Sequence, residues 1–421
     1  MGDAGRILKV LEICAGAGGQ ALGLERAGFE HELLVELDEN AVSTLRHNRP
    51  HWKVVQGDVA DPTVWNPRDY EGKIDLLAGG VPCPPFTIAG KQLGATDERD
   101  LFAWAIEQVN ILRPRALLLE NVKGLSMPRF SGYRQHVLDR LREFGYAAEW
   151  RLLNASNYGV PQLRPRFVLI AMTSDDFAYF HWPEPVDHPP TVGNVLFPLM
   201  SAKGWNGAMD WAEKANGIAP TIVGGSKKHG GADLGPTRAK KAWEKMGVNG
   251  WALADDAPAC DDVFDIGPKL TVEMTARLQG WDDEEFSWKF TGKKTAKYRQ
   301  IGNAFPPPVA KVIGIAIAAA LDHTTEPRKR DLATAHDPIY RALRDRDDFM
   351  TIAQITKAIG VRLEIHELER RINLLSQDFH IETRSDKSKS TAYKLGAFKA
   401  FRGEEDHVRH GKFQQERIRI S

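Results

Sequence analysis

The sequence predicts an α/β protein: a mostly parallel sheet covered by helices, then a loop-rich segment, then a small C-terminal unit. Three observations predict it. Between residues 8 and 172, short apolar runs alternate with longer segments of helical spacing, as in successive βα units. From 173 to 270, proline, glycine and tryptophan are dense and periodicity is weak. Beyond 337, helical spacing returns three times and two loosely alternating runs follow.

Strands are expected at 8–14, 32–38, 53–59, 74–80, 116–122, 148–154 and 166–172, and the clearest helices at 20–27, 40–48 and 101–112. The last two strands are joined by a proline-containing loop too short for a crossover helix, so they should pair antiparallel at a sheet edge. Pro306, Pro307 and Pro308 open a helix at 309–321, because a proline in the first turn forfeits no hydrogen bond. That helix is apolar nearly all round and is expected to be buried. Residues 322–337 read as a linker. The third unit, 326–400, places helices at 339–346, 352–359 and 363–375 and a hairpin over 380–395 around the polar turn 385–390. This is the outline of a winged helix-turn-helix; a helical prop or a dimerisation module fits the same spacing.

Composition narrows the function classes. The 421 residues are 42% hydrophobic and 27% charged, enough for two or three domains with ordinary cores. The 56 basic and 56 acidic side chains cancel, so a nucleic-acid partner would have to be met by local basic patches. Cys14, Cys83 and Cys260 have no CxxC spacing, which excludes a four-cysteine zinc site and a disulfide scaffold and suits a reducing compartment. No run reaches the ~18 apolar residues of a membrane span, and no signal-peptide pattern opens the chain. A secreted or membrane-embedded role is not expected.

Successive strand ends carry the chemistry. Cys14-Ala15-Gly16-Ala17-Gly18-Gly19 turns from a strand into a helix, where glycines let the backbone approach a ligand. Glu36 follows ~20 residues later and suits a ribose hydroxyl pair; Asp58, beside Val59, can accept from an adenine-like amine. The fourth run ends in Gly79-Gly80-Val81-Pro82-Cys83-Pro84-Pro85-Phe86, which breaks the strand and pushes a thiol out at the ligand-binding edge. Segment 88–99, hinged by Gly90 and Gly94, carries Lys91 and Arg99. Glu120-Asn121-Val122 brings a carboxyl to that edge, and the hairpin loop adds Gln162-Leu163-Arg164-Pro165-Arg166. A thiol, a carboxyl and two guanidiniums beside a cofactor loop point to covalent catalysis on an electron-poor ring.

With these motifs, and with Arg277-Leu278-Gln279-Gly280 and Gln300-Ile301-Gly302-Asn303-Ala304, the sequence resembles the cytosine-C5 DNA methyltransferase family over residues 8–322. The resemblance implies a Rossmann-like catalytic domain (1–172 plus 298–322) onto which the last helix folds back, and a target-recognition domain (173–297). It implies S-adenosylmethionine as methyl donor, held by Cys14, Ala15, Gly16, Gly18, Gly19, Glu36, Leu37, Asp58, Val59, Asn303 and Ala304. The acceptor would be a cytosine flipped out of double-stranded DNA. Cys83 would add to its C6, Glu120 would hydrogen-bond N3, Arg166 would grip the carbonyl and Arg164 would steady the same site. Lys91 and Arg99 would meet phosphates as segment 88–99 closes. Lys227, Lys228, His229, Arg238, Lys240 and Lys241 form one basic segment of the recognition region; Lys289, Lys293, Lys294, Lys297 and Arg299 form another.

Three positions depart from the family pattern. Cys14 and Leu37 stand where aromatics would flank the adenine, and Pro84 replaces a common glutamine. The resemblance further implies the protective half of a bacterial restriction–modification pair, cytoplasmic and nucleoid-associated. A restriction endonuclease would act on the same site without forming a stable complex. Relatives acting on transfer RNA have a compact recognition region, whereas more than 100 residues precede Tyr298 here. A catalytically silent regulator would have no use for Cys83, Glu120 and Arg166. The C-terminal unit lies outside the shared core, and a DNA-binding, regulatory, partner or stability role remains open for it.

Overall fold

The computed structural model describes residues 6–82, 101–127, 130–224, 232–282, 284–328, 337–346, 348–361, 364–385 and 391–398. Cys83, Lys91, Arg99, Lys227, Lys228 and His229 lie outside them, as does Pro84.

Strands β1 (Leu8–Ile13), β2 (Phe29–Glu36), β3 (Val54–Gln56), β4 (Leu76–Gly79), β5 (Ala116–Val122), β6 (Tyr146–Asn154) and β7 (Pro165–Thr173) form one sheet in the order β3-β2-β1-β4-β5-β7-β6. The first five are mutually parallel. β7 runs antiparallel to both neighbours, so the last two strands pair as expected, with β6 at the edge. β3 is shorter than the expected 53–59 because Gly57, at φ +156°, turns the chain where a Cβ would strike Val64.

Helices α1 (Gly19–Arg26), α2 (Glu39–Asn48), α3 (Leu101–Leu112) and α4 (Ser131–Glu143) accompany the sheet. The first three match the expected spacing. α4 is not among the clearest helices of the sequence; its Tyr133, Val137, Leu138 and Leu141 are buried among charged neighbours. Leu11, Ile13, Leu77 and Leu119 on one sheet face pack with Phe102 of α3 and Tyr133 of α4.

The segment after β7 is built of short helices: α5 (Ser174–Phe177), α6 (Val192–Met200), α7 (Ala208–Lys214), α8 (Thr237–Lys245), α9 (Val272–Leu278) and α10 (Lys294–Asn303). Its described residues contain no strand, and they enclose their own core around Val192, Leu196, Trp211, Trp243 and Tyr298. Helix α11 (Pro307–Leu321) then returns to the other face of the first sheet. It crosses α1 closely: a Cβ at Gly23 would lie 2.5 Å from Ala310 Cβ, and one at Gly314 would lie 2.7 Å from Ala27 Cβ.

Two expectations about this helix are corrected. It is not buried all round: Val309, Ile313 and Ile317 face the core, but Ile315 is 47% exposed, because the sheet and α1 cover only part of its circumference. Nor is the chain without a stretch of membrane-spanning length. Lys294–Leu321, 28 residues, is long and apolar enough by composition. It consists of two helices that break at Ala304–Pro306, and 61% of its apolar window is buried within the protein.

The expected linker is, in its described part, pinned to the first domain. Arg328 donates its backbone N–H to Ala178 O at 2.7 Å, pairs with Glu149 at 3.1 Å, and lays its guanidinium over Phe177. The C-terminal unit has the order α12 (Pro338–Arg346), β8 (Met350–Thr351), α13 (Ile352–Ile359), α14 (Ile365–Asp378), β9 (Phe379–Ser385), β10 (Thr391–Phe398), with a sheet ordered β8-β10-β9. Asp139 of α4 accepts hydrogen bonds from Tyr340 and Arg344, which fastens α12 to the first sheet's helical layer.

Strands β1 and β2 bury an ionisable pair, Glu12 and His31, at 3.4 Å between Oε2 and Nε2. Burial raises the Glu12 pKa and, with a smaller push from Arg49, lowers that of His31 to about 3. The imidazole is therefore neutral at pH 7. A depressed imidazole pKa means that the folded chain binds fewer protons than the unfolded one between about pH 6.5 and 3, so stability falls as the pH drops through that window. In His31→Gln the loss of unfolding free energy from pH 7 to pH 4 should be smaller than in the parent by roughly 2–3 kcal/mol. Urea titrations at both pH values measure it, and parallel losses would refute the assignment.

Candidate active site

The sheet order reverses between β1 and β4, since β1 leads to β2 and β3 while β4 leads to β5. Open α/β sheets bind ligands at the carboxyl ends of such a pair. The glycine loop leaves β1 there, and Gly80-Val81-Pro82 leaves β4 there.

The glycine loop is a tight left-handed turn. Cys14 holds φ +50°, Gly16 +55° and Gly18 +90°, and Gly18 is the N-cap of α1, with no side-chain cap. The loop glycines have different causes. A Cβ on Gly19 would strike Phe305 O, and one on Gly18 would come within 2.7 Å of Leu45 and 2.8 Å of Trp288. A Cβ on Gly16 would meet nothing within 4 Å, so this backbone borders open space.

Glu36 fixes the loop from the end of β2. Its carboxylate accepts from Gly16 N–H at 2.7 Å and from Asp38 N–H at 2.8 Å. Burial raises its pKa against the opposing pull of those N–H groups. The Cys14 thiol is pushed well up by burial, then by Glu36, Asp58 and Glu12, and stays protonated. Asp58 is exposed and accepts from Ala60 N–H at 3.0 Å, while Val59 is buried and Leu37 is half exposed. Cys14, Glu36 and Asp58 thus share one electrostatic neighbourhood beside the open face of Gly16, and this fits a nucleoside with ribose hydroxyls to donate. Asn303 is exposed, and the carbonyl of Ala304 is taken by Arg164 and Gln279.

Glu120 and Arg166 are brought together by sheet register. Arg166 pairs with Val122 across β5 and β7, which makes it the diagonal neighbour of Glu120 on one face. Arg166 Nε lies 2.5 Å from Glu120 Oε1, and its Nη1 donates to Pro165 O at 3.0 Å. Burial raises the Glu120 pKa; Arg166 and then Arg164 pull it back. Gly80 completes the contact between catalytic edge and cofactor loop: a Cβ there would lie 3.3 Å from Glu120 Oε2 and 3.9 Å from Cys14 O.

Arg164 is placed differently from Arg166. Its fully buried guanidinium donates to Ile222 O at 2.7 Å, Gly302 O at 2.7 Å and Ala304 O at 2.9 Å. It braces the junction of strand, recognition segment and α10 rather than pointing its donors at a base. Gln162 does the same. Its amide nitrogen donates to Gln279 Oε1 at 2.6 Å and Leu278 O at 3.1 Å, and its oxygen accepts from Ile222 N–H at 2.9 Å. Three sequence motifs are therefore joined by one buried network.

Two residues have parts that the sequence does not reveal. Asn121 Nδ2 donates to Val81 O at 3.0 Å and holds the backbone that leaves β4. The Trp288 indole N–H reaches Ala17 O at 2.8 Å from 271 positions along the chain.

In the recognition segment Arg238 lies on α8, exposed. Lys240 is occupied by Asp233 at 2.8 Å and sits over the Trp251 ring. Of the second basic segment, Lys294 is spent on Asp255 and Leu253 O.

Comparison with known proteins follows the same lines. Residues 8–319 match the family described as C-5 cytosine-specific DNA methylase. The chain is 62% identical over 414 residues to the Type II methyltransferase M.NaeI of Lentzea aerocolonigenes, covering 98% of this chain and 99% of that one. It is 50% identical to M.NgoMIV of Neisseria gonorrhoeae over 319 residues, 97% of that protein but 74% of this one. Its fold is also that of the methyltransferase EhMeth of Entamoeba histolytica, with TM-score 0.50 at 13% identity, covering 76% of this chain and all of that one. The chain belongs to the C-5 cytosine-specific DNA methylase family.

Proposed function

We propose that the protein is a sequence-specific DNA (cytosine-5-)-methyltransferase that uses S-adenosylmethionine and protects bacterial DNA within a Type II restriction–modification system. The observation that carries this reading is the buried Glu120–Arg166 pair on β5 and β7, beside the sheet's switch point and one glycine away from the glycine loop. Cytosine C5 is too poor a nucleophile to take a methyl group unaided. Cys83 adds through sulfur to C6, and C5 becomes enamine-like. When bound, S-adenosylmethionine supplies the electrophilic methyl group. Glu120, whose pKa is raised by burial, keeps or shares a proton at N3 and offsets the charge that develops there. Arg166 orients that carboxyl and offers a further nitrogen to the base carbonyl. Loss of the C5 proton to water then lets the Cys83 sulfur leave.

Glu36, Cys14, Asp58 and the Gly16 backbone are the residues that would hold the nucleoside part of the donor. Arg164 is assigned a bracing part, behind Arg166. The test is incubation with duplex DNA followed by bisulfite sequencing, with a structured RNA in parallel. Methylcytosine in one duplex context supports the reading; modification of the RNA alone refutes it.

Helix α8 supplies the described part of the DNA surface. Arg238, Lys241 and Lys245 recur at i, i+3 and i+7 on its exposed side, opposite the buried Trp243. None of the three has a carboxylate partner among the described residues, unlike Lys240. A Cβ on Gly235, just before α8, would touch both Val223 and Ala239, and Val223 follows Ile222, whose carbonyl Arg164 holds. Arg238→Ala should weaken binding to cognate and non-cognate duplexes alike and lower the slope of log K against log salt by about 1. An unchanged slope would remove Arg238 from the interface.

A further inference from the structure

We infer that Trp288 is a positioning residue for the methyl-donor loop, through which the end of the recognition segment sets the affinity for S-adenosylmethionine. The inference rests on the cofactor reading above. Glu36 holds the loop at Gly16 from β2. Trp288 holds it at Ala17, where its Nε1–H donates to the carbonyl at 2.8 Å. Its ring also fills the space that a side chain at Gly18 would need, 2.8 Å from an added Cβ. The stretch Cys14–Gly18 is thus clamped at two neighbouring peptides, one clamp from within the sheet and the other from a segment far along the chain.

Trp288 is itself held on several sides. The Arg49 guanidinium lies 5.2 Å from its ring centre, and Trp52 lies 6.1 Å away. The backbone that follows is laced to α2. Asn48 exchanges two hydrogen bonds with Lys289, both at 2.8 Å, and Thr44 accepts from Thr291 N–H at 2.9 Å. Thr44 also donates to Gln300 Oε1 at 2.6 Å, which extends the lacing into α10. With its surroundings fixed, the indole is a rigid strut and not a loosely packed surface ring. It lies behind the loop, against Leu45, so it acts through the loop backbone.

The test compares Trp288→Phe, which keeps a ring and removes the N–H, with Trp288→Ala, which removes both. Affinity for S-adenosylmethionine and S-adenosylhomocysteine is measured by calorimetry on the full chain, alongside kcat at saturating donor and duplex affinity by anisotropy. Phenylalanine should raise the donor Kd about three- to tenfold, the worth of one hydrogen bond, and alanine more, with kcat and duplex Kd within twofold. In protein labelled with 5-fluorotryptophan, the 19F resonance missing from Trp288→Phe should shift when S-adenosylhomocysteine is added. A donor Kd within twofold of the parent in the folded Trp288→Phe protein, with no such shift, overturns the inference. A merely structural part would lower the thermal midpoint and leave the donor Kd in place, also against it. Failure of the parent itself to bind the donor would instead refute the cofactor reading.

Discussion

Cys83→Ser should reduce methyl transfer to duplex DNA by about 10⁴-fold or more, because a hydroxyl cannot replace thiolate in addition to a ring carbon at neutral pH. Donor binding should persist, since the residues assigned to it leave from other strand ends. The parent should form a covalent adduct with a cognate duplex carrying 5-fluorocytosine, where fluorine cannot depart as a proton does. The serine variant should form none. Denaturing electrophoresis separates the two outcomes, and an adduct that survives in Cys83→Ser would place the nucleophile elsewhere.

The second large effect separates the two arginines. Arg166→Ala should lower kcat about 10²- to 10³-fold, as expected when an oriented charge is removed from a buried site, and cost less stability than Arg164→Ala because the Glu120 carboxyl left behind can hold a proton. Arg164→Ala should act first on stability. It strands the carbonyls of Ile222 and Gly302 in the interior, each worth about 1–3 kcal/mol when unpaired, while Ala304 O keeps its bond from Gln279. Thermal unfolding and kinetics on the same preparations distinguish them. Equal loss of kcat with an unchanged midpoint in both variants would restore Arg164 to the base site.

The first domain was largely legible because its periodicities are clean: α3 and β5 have the bounds that the sequence predicts. The Glu120–Arg166 pair was legible as two strand termini at one edge: Glu120 near the end of β5 and Arg166 at the start of the antiparallel β7. Arg164 shows where that logic stops. Strand alternation would put Arg164 and Arg166 on one face, but β7 begins only at Pro165, so Arg164 lies before the strand and turns to carbonyls that spacing does not reveal. Trp288 could not be found at all, because its partner at Ala17 is fixed only once the recognition segment has folded back. Gly18 and Gly19 read as ligand glycines and proved to be packed against Leu45, Trp288 and Phe305.

The return of α11 to α1 has a consequence during synthesis. At ~5–20 residues per second, the roughly 150 residues between the last strand and the end of α11 take about 8–30 s to emerge from the ribosome. For that interval one face of the nascent sheet lacks the apolar residues of α11, and Gly23 waits for Ala310. A circular permutant that begins with α10 and α11 would be translated without that exposed interval, and its yield of soluble chain at high expression should exceed that of the natural order.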